Sequence, residues 1–335
     1  MNIAIVGATG NVGRKIIEIL EKKKINIENL FLLASKKSEG KKINYNGKEH
    51  TVTDLEKFDF SSVKIAFFAA GSGVAEKWAH VAAEKTIVID NSKYFRKDPD
   101  IPLIVPEVNS KKLSDVKNKN IIANANCSVI PVVVALKPLH DLYNINRIVA
   151  STYQSVSGAG KSAMDELLSQ TEDYFQNKEI DSKNFTKQIA FNAIPHIDSF
   201  LENGYTKEEQ KTTDEIKKIL DKKIKVTSTC VRIPVLVSHC ISANVEFNKK
   251  CDLDEIRKVL STSPGCKVID EHQDGGYITP VEAEDKFETF ISRIRLDESR
   301  ENTINLWIVS DNLVKGAALN AVQIAESLIT NDFYG

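Results

Sequence analysis

Cysteine is scarce in this chain: five among 335 residues, at positions 127, 230, 240, 251 and 266. Their number is odd, their spacing is wide, and CxxC pairs are missing, so a disulfide framework is not indicated. Nor does any Cys/His cluster have the spacing of metal ligands, and no bound metal is expected. An excess of one charge is also missing: 45 Lys plus Arg against 46 Asp plus Glu leave a net charge of -1. That argues against a protein held on nucleic acid by bulk charge, while leaving room for a local basic pocket. Long apolar runs are absent too, since no stretch approaches the 18 or so residues of a membrane helix. The apolar start at 2–6 meets Gly7 at once, too soon for the core of a signal peptide. Repeats and low-complexity segments are not found. These absences predict a reduced, cytoplasmic protein with no nucleic-acid or membrane partner.

What is present is the balance of a globular chain, 42% hydrophobic and 27% charged. Its length exceeds what one growing core accommodates, which predicts two domains. Over the first 125 or so residues, short β-rich runs at 2–6, 30–34, 63–69 and 86–90 alternate with helical patterns at 12–24 and 74–84. Alternation of this kind predicts a parallel, doubly wound sheet. A helix is expected at about 128–142. Beyond it the texture shifts to period-two runs at 226–233, 238–247, 288–297 and 303–310, as an antiparallel sheet requires. Helical patterns at 161–176, 207–222 and 252–260 are placed to cover that sheet, and a final one at 313–328 is placed to return to the first domain. The fold class expected is α/β: a Rossmann-like N-terminal domain, then an α+β catalytic and dimerisation domain with a mixed, largely antiparallel sheet. The boundaries read as 1–126 completed by a C-terminal helix at 312–335, and 127–311.

Gly7-Ala-Thr-Gly10-Asn-Val-Gly13 lies between the first strand and the first helix. Glycines suit a tight turn whose bare N–H groups approach a pyrophosphate at a helix N-terminus. A plain strand-to-helix turn is the alternative, and the position within a βαβ unit favours nucleotide binding. The second strand ends in Leu33-Ala-Ser35-Lys-Lys37-Ser38. Hydroxyls and lysines stand where an NAD enzyme usually carries a carboxylate, and they would attract a 2′-phosphate. NADP is therefore the expected cofactor, with an ordinary basic loop as the alternative.

Asn124-Ala-Asn126-Cys127-Ser-Val follows a strand and opens a helix whose first turn tolerates Pro131. A cysteine at a helix N-terminus is favoured as thiolate, although cysteine is often only a small buried hydrophobe. Two further stretches supply context. Ser151-Thr-Tyr-Gln154-Ser-Val-Ser157-Gly158-Ala-Gly160 leaves a strand into a glycine-rich turn, and Val231-Arg232-Ile-Pro-Val-Leu-Val-Ser-His239 brings an arginine and a histidine to the ends of a strand-bend-strand. Taken singly, each is ordinarily structural. Together they describe a thiol, an acid/base and a carboxylate clamp. Of the other histidines, only His196 stays a minor candidate.

At these residues the chain closely resembles the aspartate-semialdehyde dehydrogenase family. The likeness runs from Gly7 to the C-terminal helix through GATGNVG, LLASKKS, YFRKDPDIPLIVPEVN (94–109), NANCS, STYQSVSGAG, EEQK (208–211), VRIPVLVSH and SDNLVKGAALNAVQIAE (310–326). The resemblance implies reductive dephosphorylation of β-aspartyl phosphate by NADPH through a thioester on Cys127. It implies His239 as acid/base, Gln154 positioning the acyl-enzyme, Arg232 on the substrate carboxylate and Glu208 near its ammonium group. Arg96, Asn126 and Lys211 match the phosphate pocket. Gly7, Thr9, Gly10, Asn11, Val12, Ser35, Lys37, Ser38, Ser72, Ser157, Gly158 and Asn312 fall where the family holds NADP. The family implies a homodimer built through the second domain.

The chain departs from the usual family pattern at Ala125, Val129 and Pro131 around the nucleophile, and Lys37 stands for a usual Arg. N-acetyl-glutamyl-phosphate reductase shares the architecture and the thiol route, but needs no carboxylate for a free ammonium group. Glyceraldehyde-3-phosphate dehydrogenase lacks support because its Ser-Cys-Thr-Thr segment is missing. A redox sensor that binds the nucleotide without turnover is the alternative outside enzymes.

Overall fold

The computed structural model describes residues 1–331 and divides the chain into two compact units. One consists of Met1–Ala125 together with the described residues from Ala317 onward, the other of Asn126–Gly316.

The first unit begins β1 (Asn2–Val6), α1 (Asn11–Lys22), β2 (Asn29–Ala34). A small hairpin follows, β3 (Lys42–Tyr45) and β4 (Lys48–Thr51), turned by Asn46-Gly47 with φ of 50° and 73°, the left-handed pair such a turn requires. The sequence reading missed it. Then come β5 (Thr53–Asp54), β6 (Ile65–Phe68), α2 (Ser72–Ala83), β7 (Ile87–Asp90), β8 (Leu103–Ile104), the single turn α3 (Pro106–Asn109) and β9 (Ile121–Asn124). Seven strands form one sheet in the order β5-β2-β1-β6-β7-β9-β8, every pairing parallel. β6, β7 and β9 are buried along their whole length, as strands of a parallel sheet covered on both faces must be. On α1, Ile16, Ile17, Ile19 and Leu20 are buried beneath a charged outer face.

The C-terminal helix is Leu319–Thr330, and it docks on this same unit through buried amides. Asn320 donates to Asn124 Oδ1 at 2.6 Å and to the Ile104 carbonyl at 3.0 Å, and Asn124 donates to Asn91 at 2.7 Å. Buried amides satisfied in this way fix one docking geometry. The expected helix at 312–335 starts later than the sequence suggests, because Val314–Ala318 forms a π-turn, and its final residues 332–335 lie outside the described residues.

The second unit carries a six-stranded sheet. Its elements in chain order are α4 (Val129–Tyr143), β10 (Ile145–Gln154), α5 (Lys161–Phe175), α6 (Lys207–Ile219), β11 (Lys225–Arg232), β12 (His239–Phe247), α7 (Leu253–Thr262), β13 (Cys266–Val268), α8 (Pro280–Ala283), β14 (Thr289–Leu296) and β15 (Thr303–Ser310). The order is β11-β10-β12-β15-β14-β13. β10–β11 and β13–β14 are parallel and the rest antiparallel, so the sheet is mixed. Ile241, Ala243, Val245 and Phe247 point from β12 into the core, while Ser242, Asn244 and Glu246 alternate onto a half-exposed face. α4, buried nearly all round, packs against α6 and α7 and against β14 and β15.

Candidate active site

The topology of the second unit explains why residues far apart in sequence converge. β10 runs parallel to β11 and antiparallel to β12. The C-terminus of β10 at Gln154, the C-terminus of β11 at Arg232 and the N-terminus of β12 at His239 therefore share one sheet edge. Gln154 and Arg232 are register partners. The link from β11 to β12 must cross the end of β10, and it pairs with the chain there: Val156 N–H donates to Val235 O at 2.9 Å and Ser157 N–H to Leu236 O at 3.1 Å. Ser238, just before His239, holds a left-handed φ of 76°. Strain of this kind persists where surrounding bonds over-determine it; here the Ser238 N–H donates to Asn312 Oδ1 at 2.8 Å.

Cys127 lies just before Ser128, the N-cap of α4. Asn126 builds this turn: its Oδ1 accepts from the Ser128 N–H and Oγ, both at 2.9 Å, and its own N–H donates to Glu215 Oε2 at 2.6 Å. The Cys127 sulfur lies 3.3 Å from His239 Nε2. Behind it the π-turn leaves Gly316 so close that a Cβ there would lie 3.0 Å from Cys127 Cβ. Gly158 covers the histidine in the same way, since its Cβ would come within 3.3 Å of the ring and 3.2 Å of Arg232 Nη1.

Electrostatics sort these groups. His239 is fully buried, and burial together with the Arg232 charge pushes its pKa down to about 3. Its ring is neutral at physiological pH. Burial also pulls Arg232 below its ordinary value, opposed by negative charge at Cys127 and Glu208; the guanidinium stays charged and donates to the Ser155 carbonyl at 2.6 Å. Lys211 is raised: burial alone would lower it, but Glu208 and Asp198 outweigh that. Its ammonium lies 2.8 Å from Glu208 and 2.7 Å from Asp198. The other oxygen of Glu208 accepts from Asn126 Nδ2 at 2.9 Å. Glu208, Lys211 and Glu215 share one face of α6, at spacings of three and four residues.

The structure thus gathers Cys127, His239, Arg232, Asn126, Glu208 and Lys211 around one turn, with Gln154 buried at the same sheet edge, donating to Thr152 at 3.3 Å. Ser157 and Asn312, assigned from sequence to the cofactor, bond to each other at 2.9 Å and to Ser155 at 3.1 Å. Ser155 itself escaped the sequence reading. A run of side-chain donors at the strand end was visible, but not which of them would face the histidine. Cys230 and Cys240 are buried in the sheet, where burial pushes both thiols up to about 12, as packing cysteines should be. His196 stacks flat on Phe200 at 4.4 Å.

Of the first-unit residues expected from sequence to meet the cofactor, Gly7, Thr9, Gly10 and Ser35 line a cleft of about 740 Å³ within that unit. Gly7, at φ 87°, lies so near Ala69 that a Cβ would come within 2.7 Å, and a Cβ on Gly13 would lie 2.2 Å from the Gly7 carbonyl. Gly10 caps α1 without a side chain, and Asn11 and Val12 form its open first turn. Bare backbone at a helix N-terminus fits a pyrophosphate. Lys37 and Ser38 lie in the turn Lys36–Ser38 after β2, and Ser72 opens α2. Of that turn Lys36 lies in the cleft wall, and Asp54, Glu56, Lys77 and Trp78 join it there; distant in sequence, these last four gave no signal. Arg96 belongs to this unit and donates to the Asn91 carbonyl at 3.1 Å.

Two family models match: "Semialdehyde dehydrogenase, NAD binding domain" over residues 2–116 and "Semialdehyde dehydrogenase, dimerisation domain" over 136–315. Fold and site thus define a dinucleotide-dependent semialdehyde dehydrogenase. Aspartate-semialdehyde dehydrogenase of Aquifex aeolicus is 49% identical over 98% of this chain and 97% of its own. The crystal structure of aspartate semialdehyde dehydrogenase II from Vibrio cholerae, 46% identical, superposes with a TM-score of 0.97 over 99% of both chains. That protein has also been solved in complex with ASA. The chain belongs to the aspartate-semialdehyde dehydrogenase family, oxidoreductases of amino-acid biosynthesis.

Proposed function

We propose that the chain catalyses the NADPH-dependent conversion of L-aspartyl-4-phosphate to L-aspartate 4-semialdehyde and inorganic phosphate, on the route to lysine, threonine, methionine and diaminopimelate. The observation that carries this reading is the 3.3 Å approach of the Cys127 sulfur to His239 Nε2 at the start of α4.

The Cys127 thiolate attacks the acyl phosphate carbonyl; a C–S bond forms, the C–O bond to phosphorus breaks, and phosphate leaves with its electron pair. The result is a thioester, a good hydride acceptor, so one difficult step becomes two easier ones. A bound nicotinamide supplies the hydride. His239, as acid/base, holds a proton at Nε2 toward the oxyanion formed at the former carbonyl. Collapse of that tetrahedral centre restores the C=O bond, expels the Cys127 thiolate and frees the aldehyde. Gln154 positions the acyl group. Arg232 presents a fork for the substrate carboxylate, Glu208 meets the α-ammonium group, and Arg96, Asn126 and Lys211 serve the phosphate.

Cofactor binding is assigned to Gly7, Thr9, Gly10, Asn11, Val12, Ser35, Lys37, Ser38 and Ser72, with Ser157, Gly158 and Asn312 from the second unit. The basic, hydroxyl-rich turn after β2 supports NADP over NAD. The domain bearing the cofactor corresponds to 1–126 with the C-terminal helix, and 127–311 is the catalytic and dimerisation domain. The half-exposed sheet face bearing Ser242 and Trp307 supports a homodimer, and five cysteines outside any disulfide suit the cytoplasm.

The test is NADP reduction with aspartate semialdehyde, with and without inorganic phosphate, on the wild type and on Cys127→Ser. Phosphate-dependent activity that falls by about 10³-fold or more in the variant is expected. Equal rates for the two proteins would remove Cys127 from the chemistry.

A further inference from the structure

Hydrogen-bond donors around His239 point to a single protonation state. The Ser155 backbone N–H lies 3.1 Å from His239 Nδ1, and a backbone amide can only donate. Nδ1 must therefore present a lone pair, which leaves Nε2 as the nitrogen that carries the proton. Nε2 is the atom that faces the Cys127 sulfur.

The bonds behind Ser155 are compatible with that assignment and hold the surrounding chain in place. Asn312 Oδ1 accepts from the Ser238 N–H at 2.8 Å, which fixes the orientation of the amide. Its Nδ2 then donates to Ser157 Oγ at 2.9 Å. Ser157 Oγ lies 3.1 Å from Ser155 Oγ, which in turn lies 3.1 Å from His239 Nδ1. Asn312 Oδ1 also lies 3.1 Å from both serine oxygens, so each hydroxyl has a second acceptor, and the direction at Nδ1 is set by the Ser155 backbone N–H. All four residues are buried, so no bulk water competes for these bonds.

We propose that Ser155 and Asn312 are positioning residues that hold His239 as the neutral Nε2–H tautomer, so that the ring serves Cys127 as a hydrogen-bond donor and not as the base that takes its proton. A doubly protonated ring would set an Nδ1–H against the Ser155 N–H. The thiolate is thus formed by loss of its proton to solvent and is stabilised by Nε2–H, Arg232 and the start of α4, in place of a thiolate–imidazolium pair. The titratable or charged groups facing the ring are Cys127 from the start of α4, Arg232 from β11 and Glu208 from α6. Of these the arginine disfavours a second ring proton and the glutamate favours it; burial sides with the arginine. This inference gives the acid/base of the proposed reaction its proton inventory, and so rests on that reading.

The experiment is 15N NMR of the full chain labelled at histidine, free of substrate, with the His239 signals identified by their loss in His239→Gln. A pyridine-type Nδ1 and a pyrrole-type Nε2, unchanged from about pH 6 to about pH 9, are expected. The Nδ1–H tautomer, or an imidazolium in that range, would overturn the proposal. Asn312→Ala provides a second measurement. It frees the Ser238 N–H beside the ring, so it should mix the tautomers of His239 and lower kcat about tenfold while the KM for aspartate semialdehyde changes less than about twofold; a pure Nε2–H spectrum in this variant would remove Asn312 from the device, and Ser155→Ala, which keeps both the Asn312–Ser238 bond and the Ser155 backbone N–H, should retain the tautomer. Because the spectrum is read without turnover, a wrong tautomer in an active enzyme refutes only this inference, and an inactive enzyme with the expected tautomer refutes only the assigned reaction.

Discussion

The cleft of the first unit and the pocket of the second are made from different parts of the polypeptide. In the cleft, the backbone does most of the shaping. Gly7 and Gly13 bring main chain to main chain at distances that no Cβ tolerates, and the side chains at its rim, Ser35, Lys36 and Lys37, are exposed. In the pocket, the groups are side chains, and the decisive ones are buried: His239, Arg232, Asn312, Ser155 and Glu208. A backbone-built site asks for small residues over a short stretch. A side-chain-built site asks for a sheet that delivers distant residues to one edge and for partners that satisfy every buried donor. The first fails mainly by losing shape, the second by losing a charge or a proton.

Substitutions that respect this division should separate the two. The largest effect is expected from Gly13→Ala. Its methyl group would lie 2.2 Å from the Gly7 carbonyl, so α1 must move, costing about 3 kcal/mol of stability as well as cofactor affinity. Denaturant unfolding and cofactor titration measure both; an unchanged midpoint would mean that the turn relaxes freely. Arg232→Lys should lower kcat/KM about 10²-fold, because an ammonium cannot reproduce the planar fork. Steady-state kinetics in aspartate semialdehyde tests this, and a loss below about threefold would argue against a carboxylate clamp.

Smaller still is a pH effect confined to the pocket. The pKa of His239 is held near 3, below its ordinary 6.5. The unfolded ring therefore binds its proton at higher pH than the folded one. Its contribution to stability is complete above about pH 6.5 and is lost progressively as the pH falls toward 3. Unfolding free energies from about pH 6 to about pH 4 should carry a slope of roughly one proton that His239→Gln lacks. The least effect is expected at the rim of the cleft. Lys36→Glu should shift the preference between NADP and NAD by about tenfold toward NAD, with little change in stability, as expected where exposed side chains only decorate a backbone frame.

The legibility of the two sites follows from the same contrast. The glycine turn was readable because its residues are contiguous and each glycine answers a local geometric demand. Sequence alone did not single out Lys36, the lysine of that turn in the cleft wall, since which lysine of an exposed turn faces inward depends on a half-turn of backbone that composition does not encode. The place of Cys127 before a helix was readable, as were those of Arg232 and His239 at the ends of their strands. Ser155 was not, because its role belongs to its backbone N–H, which every residue but proline possesses. The hairpin at Asn46-Gly47 was legible in principle, but its strands are only four residues each. The late start of the C-terminal helix has a tertiary cause: the π-turn allows Gly316 to lie against Cys127.

By itself, the amino-acid order determined the alternation of strand and helix, the glycine turn, the cysteine at a helix start and the family to which the chain belongs. These rest on periodicity, local backbone freedom and contiguous motifs, all of which are short-range. Only the tertiary structure decided that β10 would lie between β11 and β12, and hence that Gln154, Arg232 and His239 would share an edge and that Asn312 would reach the histidine through two serines. Strand order and hydrogen-bond direction are long-range properties, settled when the sheet closes and each buried donor must find its acceptor.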